Sequence, residues 1–209
     1  MEIFDITLTL SKTVPVWPGS KQPEFDQVLN IKNGDPVNVT NMSMSVHTGT
    51  HVDAPCHFVK EGASVEELPL DILTGEAVVI ELLDHSTLTK KILQNAQIPP
   101  KTSRLLIKTR NSDHWKREPT EFDQTFVALS LEGAKFLVER GIQLIGVDYL
   151  SVATFNELAS VHKLLFEASV VVVEGLDLSK IAPGKYNFCC LPLKIAGADG
   201  APARAILSK

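Results

Sequence analysis

The chain opens on extended-type patterning and takes on helical spacing only later. Ile3 to Leu10 is rich in β-formers and is broken by Pro15, Pro18 and Gly19, which predicts a first strand leading into a loop that carries Trp17. Phe25 to Ile31 and Val37 to Val46 flank Lys32-Asn33-Gly34-Asp35-Pro36. Asn-Gly tolerates positive φ at both positions, so this stretch predicts an antiparallel hairpin. Ala77 to Leu83 is a compact apolar run, Ser86 to Asn95 reads as a short capped helix, and Arg104 to Thr109 is a further strand. Beyond this point strand and helix alternate. Ser130 caps a helix in which Leu131, Ala134, Leu137 and Val138 recur at helical spacing, and Gly141 stops it ahead of the apolar strand Ile142 to Val147. Asn156 caps a second helix, Glu157 to Ala168, which feeds the β-branched run Val170 to Val173. Such runs, apolar on both faces, mark central parallel strands covered by helices. Tyr186 to Ile195 and Ala203 to Leu207 return to strand. The fold class is α/β, with a β-rich N-terminal part and βα units behind it.

Composition narrows the function classes. The 209 residues, 44% hydrophobic and 22% charged, suit one globular domain over 1–209, with no repeat or linker-like break. Twenty Lys and Arg against 25 Asp and Glu give a net charge of −5. With no dense basic block, a nucleic-acid partner has no electrostatic basis. No stretch approaches the roughly 18 apolar residues of a membrane span, and the first residues lack the pattern of a secretion signal, so no membrane partner is expected. Cys56, Cys189 and Cys190 are odd in number and two are adjacent, which argues against a disulfide framework and for a reducing, cytoplasmic setting.

The chemistry concentrates in His47-Thr48-Gly49-Thr50-His51-Val52-Asp53-Ala54-Pro55-Cys56-His57, which holds three of the six histidines of the chain. Imidazole and carboxylate are the ligand types of zinc, manganese and iron sites. Two threonines, Gly49 and Pro55 argue against a helix here, so a tight turn after a strand is expected, with Gly49 free to adopt positive φ. The competing interpretation is a set of scattered surface or capping histidines; crowding without a metal would make them repel when protonated.

His162 lies on the apolar stripe of its helix, among Leu158, Val161, Leu165 and Phe166, and by itself reads equally as a hydrogen-bonded core histidine. Glu174 ends a predicted parallel strand, where open α/β sheets place ligand-binding groups. A metal would satisfy both. Asp148 also closes a strand and is expected to act as a helix cap or turn former outside any metal shell. His85 and His114 are expected to be solvated, and Asp5, Asp177 and the run Lys116 to Asp123 to be structural or solvated.

The motif His47 to His57, followed by Glu67-Leu68-Pro69-Leu70, resembles the cyclase family of metal-dependent hydrolases, which includes bacterial kynurenine formamidases. The resemblance extends from Asp5-Ile6-Thr7-Leu8-Thr9-Leu10 and the segment around Trp17, through Gly146-Val147-Asp148, to the tail from Leu191 to Leu207. It implies a swivelling β/β/α domain with a central mixed, barrel-like sheet flanked by helices, and a homo-oligomer, dimer or tetramer. It implies one or two divalent ions per subunit, zinc ahead of manganese: His47, His51 and Asp53 on one, and Asp53, His162 and Glu174 on a second. It makes His57 the catalytic acid/base and Trp17 a substrate-bordering aromatic. The activity implied is hydrolysis of a small-molecule amide, N-formyl-L-kynurenine first. Two departures from the formamidase pattern, Tyr149-Leu150-Ser151-Val152-Ala153 and Asp199-Gly200-Ala201-Pro202, keep cyclic amides such as isatin, and lactones, as alternatives. A metal-binding protein without turnover, or a structural domain with incidental histidines, are the remaining classes.

Overall fold

A computed structural model describes residues 1–117 and 120–209; Glu118 and Pro119, within the charged run from Lys116, lie outside the described residues. The described residues form ten strands: β1 (Ile3–Asp5), β2 (Glu24–Leu29), β3 (Val39–Ser43), β4 (His51–Asp53), β5 (Thr74–Leu82), β6 (Arg104–Thr109), β7 (Leu144–Val147), β8 (Val171–Glu174), β9 (Gly184–Pro192) and β10 (Gly200–Ser208). Eight of them form one sheet in the order β1-β10-β4-β8-β7-β6-β5-β9, and β9 pairs back onto β10, so that seven strands close on themselves. The neighbours from β5 to β8 run parallel, while β4, β9 and β10 are antiparallel to theirs. This is the mixed, barrel-like α/β sheet expected. Among the described residues, β2 and β3 pair only with each other.

Side-chain alternation divides the core. Ala77, Val79, Leu106, Val171, Val173 and Val52 fill the barrel interior. Their neighbours Val78, Ile80, Leu105, Ile107 and Val172 point outwards and are covered by α2 (Lys90–Asn95), α4 (Leu131–Glu139) and α5 (Leu158–Glu167). Successive strand residues face opposite ways, so His51, Asp53 and Glu174 lie on the outer, helix-covered face. A third cluster packs Leu8, Trp115, Phe126 and Tyr149 beneath the loop that bears Trp17.

Several elements differ from expectation. The first strand stops at Asp5, because Leu8 turns away to donate its N–H to Thr50 Oγ1 at 2.8 Å, leaving only a bridge from Thr7 to Leu176. The hairpin strands end earlier than their apolar runs. Asn30 caps a 3-10 turn over Ile31–Asn33, which Gly34 closes at φ 96°. The helix expected from Ser86 begins at Lys90 after Thr89, since Leu88 is held in a bridge to Leu129. Glu157 rather than Asn156 precedes α5.

Candidate metal centre

The motif His47 to His57 is not one loop. His47 to Thr50 form a turn, with Gly49 at φ 67°, and His51 to Asp53 form β4, wedged between β8 and β10. Its three residues make no alternation visible in sequence; pairing with distant strands creates it. The register sets His51 opposite Glu174. α5 lays His162 over the same face, and a 3-10 turn, Pro55–His57, brings His57 to the rim.

Hydrogen bonds fix which nitrogen of each ring faces inwards. His51 Nδ1 donates to the Gly49 carbonyl at 2.9 Å, and His162 Nδ1 to the Leu158 carbonyl at 2.7 Å. His47 Nε2 donates to Asp199 Oδ2 at 2.9 Å. A neutral imidazole that has given away one proton keeps a lone pair on the other nitrogen. Those three nitrogens converge on two buried carboxylates. His47 Nδ1 lies 2.8 Å from Asp53 Oδ1, His51 Nε2 is 3.3 Å from both Asp53 Oδ1 and Glu174 Oε2, and His162 Nε2 is 3.2 Å from Glu174 Oε1 and 3.6 Å from Asp53 Oδ2. Among the described residues, the buried His51 Nε2 has no hydrogen-bond partner.

Lone pairs facing carboxylates repel unless a proton or a metal cation lies among them. Without a metal the protons are held hard. Burial opposes the charging of His51, yet the Asp53 and Glu174 carboxylates raise it to about 10. Burial likewise opposes the ionisation of Asp53, and its histidine neighbours nevertheless hold it well below the ordinary carboxylate range. Donor separations of 2.8–3.6 Å match the edges of a coordination shell with ~2.1 Å bonds. His47, His51 and Asp53 form one compact donor group, and Asp53, His162 and Glu174 another, sharing Asp53. These residues fit a divalent cation, and their far-side hydrogen bonds are the kind that orient metal-binding histidines.

The cluster floors a cavity of about 210 Å³ walled by Trp17, Phe58, Leu150 and Leu158, with Ser45 and Ser151 as polar points. Trp17 stacks on Phe155, with ring centroids 5.4 Å apart, and meets Phe122 edge-on. His57 lines the cavity beside the cluster; burial lowers it from its ordinary value, and its Nδ1 donates to Asp199 Oδ2 at 3.1 Å. Asp199 gave no signal in sequence beyond its place in the tail, 142 residues from His57.

Asp148 stands apart from this cavity. It is buried at the end of β7 and accepts hydrogen bonds from the main-chain and side-chain donors of Thr109 and Ser112 and from Asn111 Nδ2. One expectation is corrected here. His114 is not simply solvated, because it pairs with Asp123 Oδ2 at 3.0 Å. The loop of His114 and Trp115 does not border the cavity, because Trp115 is buried and donates its indole N–H to the Asp148 carbonyl.

Residues 4–154 match the Cyclase family model. The chain belongs to the cyclase family. Cyclase-like protein 3 of Arabidopsis thaliana is 38% identical, over 100% of this chain and 80% of its own length. A kynurenine formamidase of Bacillus cereus is 36% identical, over 99% of this chain and 97% of its own. Among solved structures, a potential metal-dependent hydrolase with cyclase activity superposes with TM-score 0.86 at 32% identity, covering 99% and 96% of the two chains. Isatin hydrolase A from Labrenzia aggregata, bound to benzyl benzoate, gives 0.81 at 26% identity over 99% and 93%. The cyclase-family chain thus shares its closed sheet with proteins described as metal-dependent hydrolases. Among the described residues, no helix is long and apolar enough to cross a membrane.

Proposed function

We propose that this protein is a metal-dependent amidohydrolase that cleaves the formamide of N-formyl-L-kynurenine to L-kynurenine and formate. The observation that carries the reading is the convergence of three imidazole lone pairs on two buried carboxylates at the floor of an aromatic-walled cavity. His47, His51, Asp53, His162 and Glu174 hold one or two divalent ions, with zinc preferred over manganese. A bound divalent ion supplies Lewis-acid polarisation of a carbonyl and acidifies water from a pKa of ~15.7 to about 7. The rest belongs to side chains of the chain itself. His57, held neutral by burial, offers Nε2 to accept a proton from water and return it to the leaving amine nitrogen. Trp17 and Phe58 give the aryl ring flat apolar walls and keep water from the scissile bond.

A second reading, hydrolysis of an uncharged cyclic amide of the isatin type or a lactone, draws on the cavity lining. Among the described residues lining it, the only carboxylates are Asp53 and Glu174, both committed to the cluster, so a substrate ammonium group finds no free partner.

Metal-depleted protein assayed on N-formyl-L-kynurenine, on isatin and on an aryl lactone, with zinc and manganese restored separately, decides between them. Turnover of the formamide is expected only with a restored ion, and a His57→Ala variant should keep its metal yet lose roughly 10²–10⁴-fold in kcat. Turnover of isatin alone would select the second reading. Tight metal binding with no turnover of the formamide, of isatin or of an aryl lactone would refute both.

A further inference from the structure

Asp199 lies behind His47 and His57, outside the cavity lining, and the proposed hydrolysis leaves its carboxylate without a task. It accepts from His57 Nδ1 at 3.1 Å and from His47 Nε2 at 2.9 Å through the same oxygen, Oδ2. A carboxylate only accepts, so both of those nitrogens carry hydrogen. The two rings stack with centroids 4.0 Å apart and 29° between planes, one oxygen joining their outer edges. The main chain fixes this arrangement from behind. Ala54 donates its N–H to the Asp199 carbonyl and accepts the His57 N–H on its own carbonyl, both at 2.9 Å, and Gly200 pairs directly with Asp53. Asp199 is therefore anchored to the very segment whose histidine it orients.

We propose that Asp199 is a positioning residue for the hydrolysis. It holds His57 in the Nδ1–H tautomer with an unprotonated Nε2 turned to the cavity, and couples that setting to His47. The proposal rests on the hydrolase reading above. In the reaction water adds its oxygen to the acyl carbon and the C–N bond breaks. One proton from the water reaches the amine nitrogen by way of His57 Nε2, so His57 and Asp199 end as they began. Without Asp199 the His57 ring is free to rotate and to carry its hydrogen on Nε2, where it cannot accept. The carboxylate is about half exposed, with a side-chain accessibility of 47%, so water partly replaces it and the effect falls short of abolishing activity.

The dependence on leaving group separates positioning from general damage. Water acidified by a bound divalent ion would need little help from His57 to attack, so the substrates differ at the second step: an arylamine must receive its proton from His57 as it leaves, whereas 4-nitrophenolate departs unaided. Zinc-saturated wild type and Asp199→Ala are compared on formanilide and on 4-nitrophenyl formate, with bound metal counted in each. In the variant, kcat for formanilide is expected to fall about 10–100-fold with KM little changed, while the ester loses less than about threefold. In a His57→Ala background, removing Asp199 should cost nothing further. Equal losses on both substrates at full metal content, or additive losses in the double variant, would overturn the proposal. Histidine ¹⁵N spectra give a readout that needs no turnover: His57 should be protonated at Nδ1 in the wild type and redistribute towards Nε2–H in Asp199→Ala. An unchanged spectrum overturns the positioning role, whereas a wild type inert towards both substrates but showing the tautomer shift refutes the hydrolase reading alone.

Discussion

Each histidine of the cluster owes its inward-facing lone pair to an oxygen on the far side of its ring. Gly49 and Leu158 supply backbone carbonyls and Asp199 a carboxylate. The ring of His47 also needs room. A Cβ on Gly200 would sit 2.8 Å from His47 Cε1 and 2.9 Å from the Val52 carbonyl, inside normal contact. Gly200→Ala is therefore expected to displace His47 and weaken zinc binding by about 10-fold or more, read by competition with a chromophoric chelator. The histidine-rich motif was legible because it is local and compositionally improbable. His162 and Glu174 were legible from where their helix and strand place them, and in the structure they meet at 3.2 Å. Asp199 was not: nothing around a single acid in a tail signals partners 142 and 152 positions away.

At the scale of elements, periodicity located the helices α4 and α5 and the parallel strands β5 to β8 to within a few residues, because their burial follows from one sheet face and one helix stripe. It missed β4, whose strand character comes wholly from pairing with β8 and β10. Asp148 shows how the βα layer is locked. Its carboxylate collects five donors from the end of β6 and the short helix α3 (Ser112–Trp115). Asp148→Asn would turn an amide N–H₂ towards hydrogens where an acceptor is required. A loss of about 3 kcal/mol in urea unfolding is expected, with metal content per folded chain unchanged. A change below ~0.5 kcal/mol would show that the loop repacks at no cost. Register matters equally in β4. A slip of one residue would turn His51 and Asp53 into the apolar barrel and Val52 out to the site.

For the whole molecule, a cation that binds only the folded state must raise its melting temperature. The sign with pH follows from the cluster. Charged His51 contributes stability to the metal-free fold that is complete below its ordinary value of 6.5 and fades as pH rises through about 10. A metal ion competes for the same lone pair, so its contribution grows as pH rises. The gap in Tm between zinc-loaded and metal-depleted protein should therefore widen between about pH 5.5 and pH 8, as read by calorimetry; a gap independent of pH would place the ion elsewhere.

β10 pairs with β1, β4 and β9, and its pairing with β1 joins residues just over two hundred positions apart. Contacts of that span form slowly, since the intervening chain must first be brought to order. On the ribosome, all of the histidines are made long before Asp199 and Gly200 emerge to set His47 and His57 and to close the ring of strands. Assembly of the complete donor set, with His47 held by Asp199, is thus a late event in biosynthesis, finished only once β10 has shut the barrel.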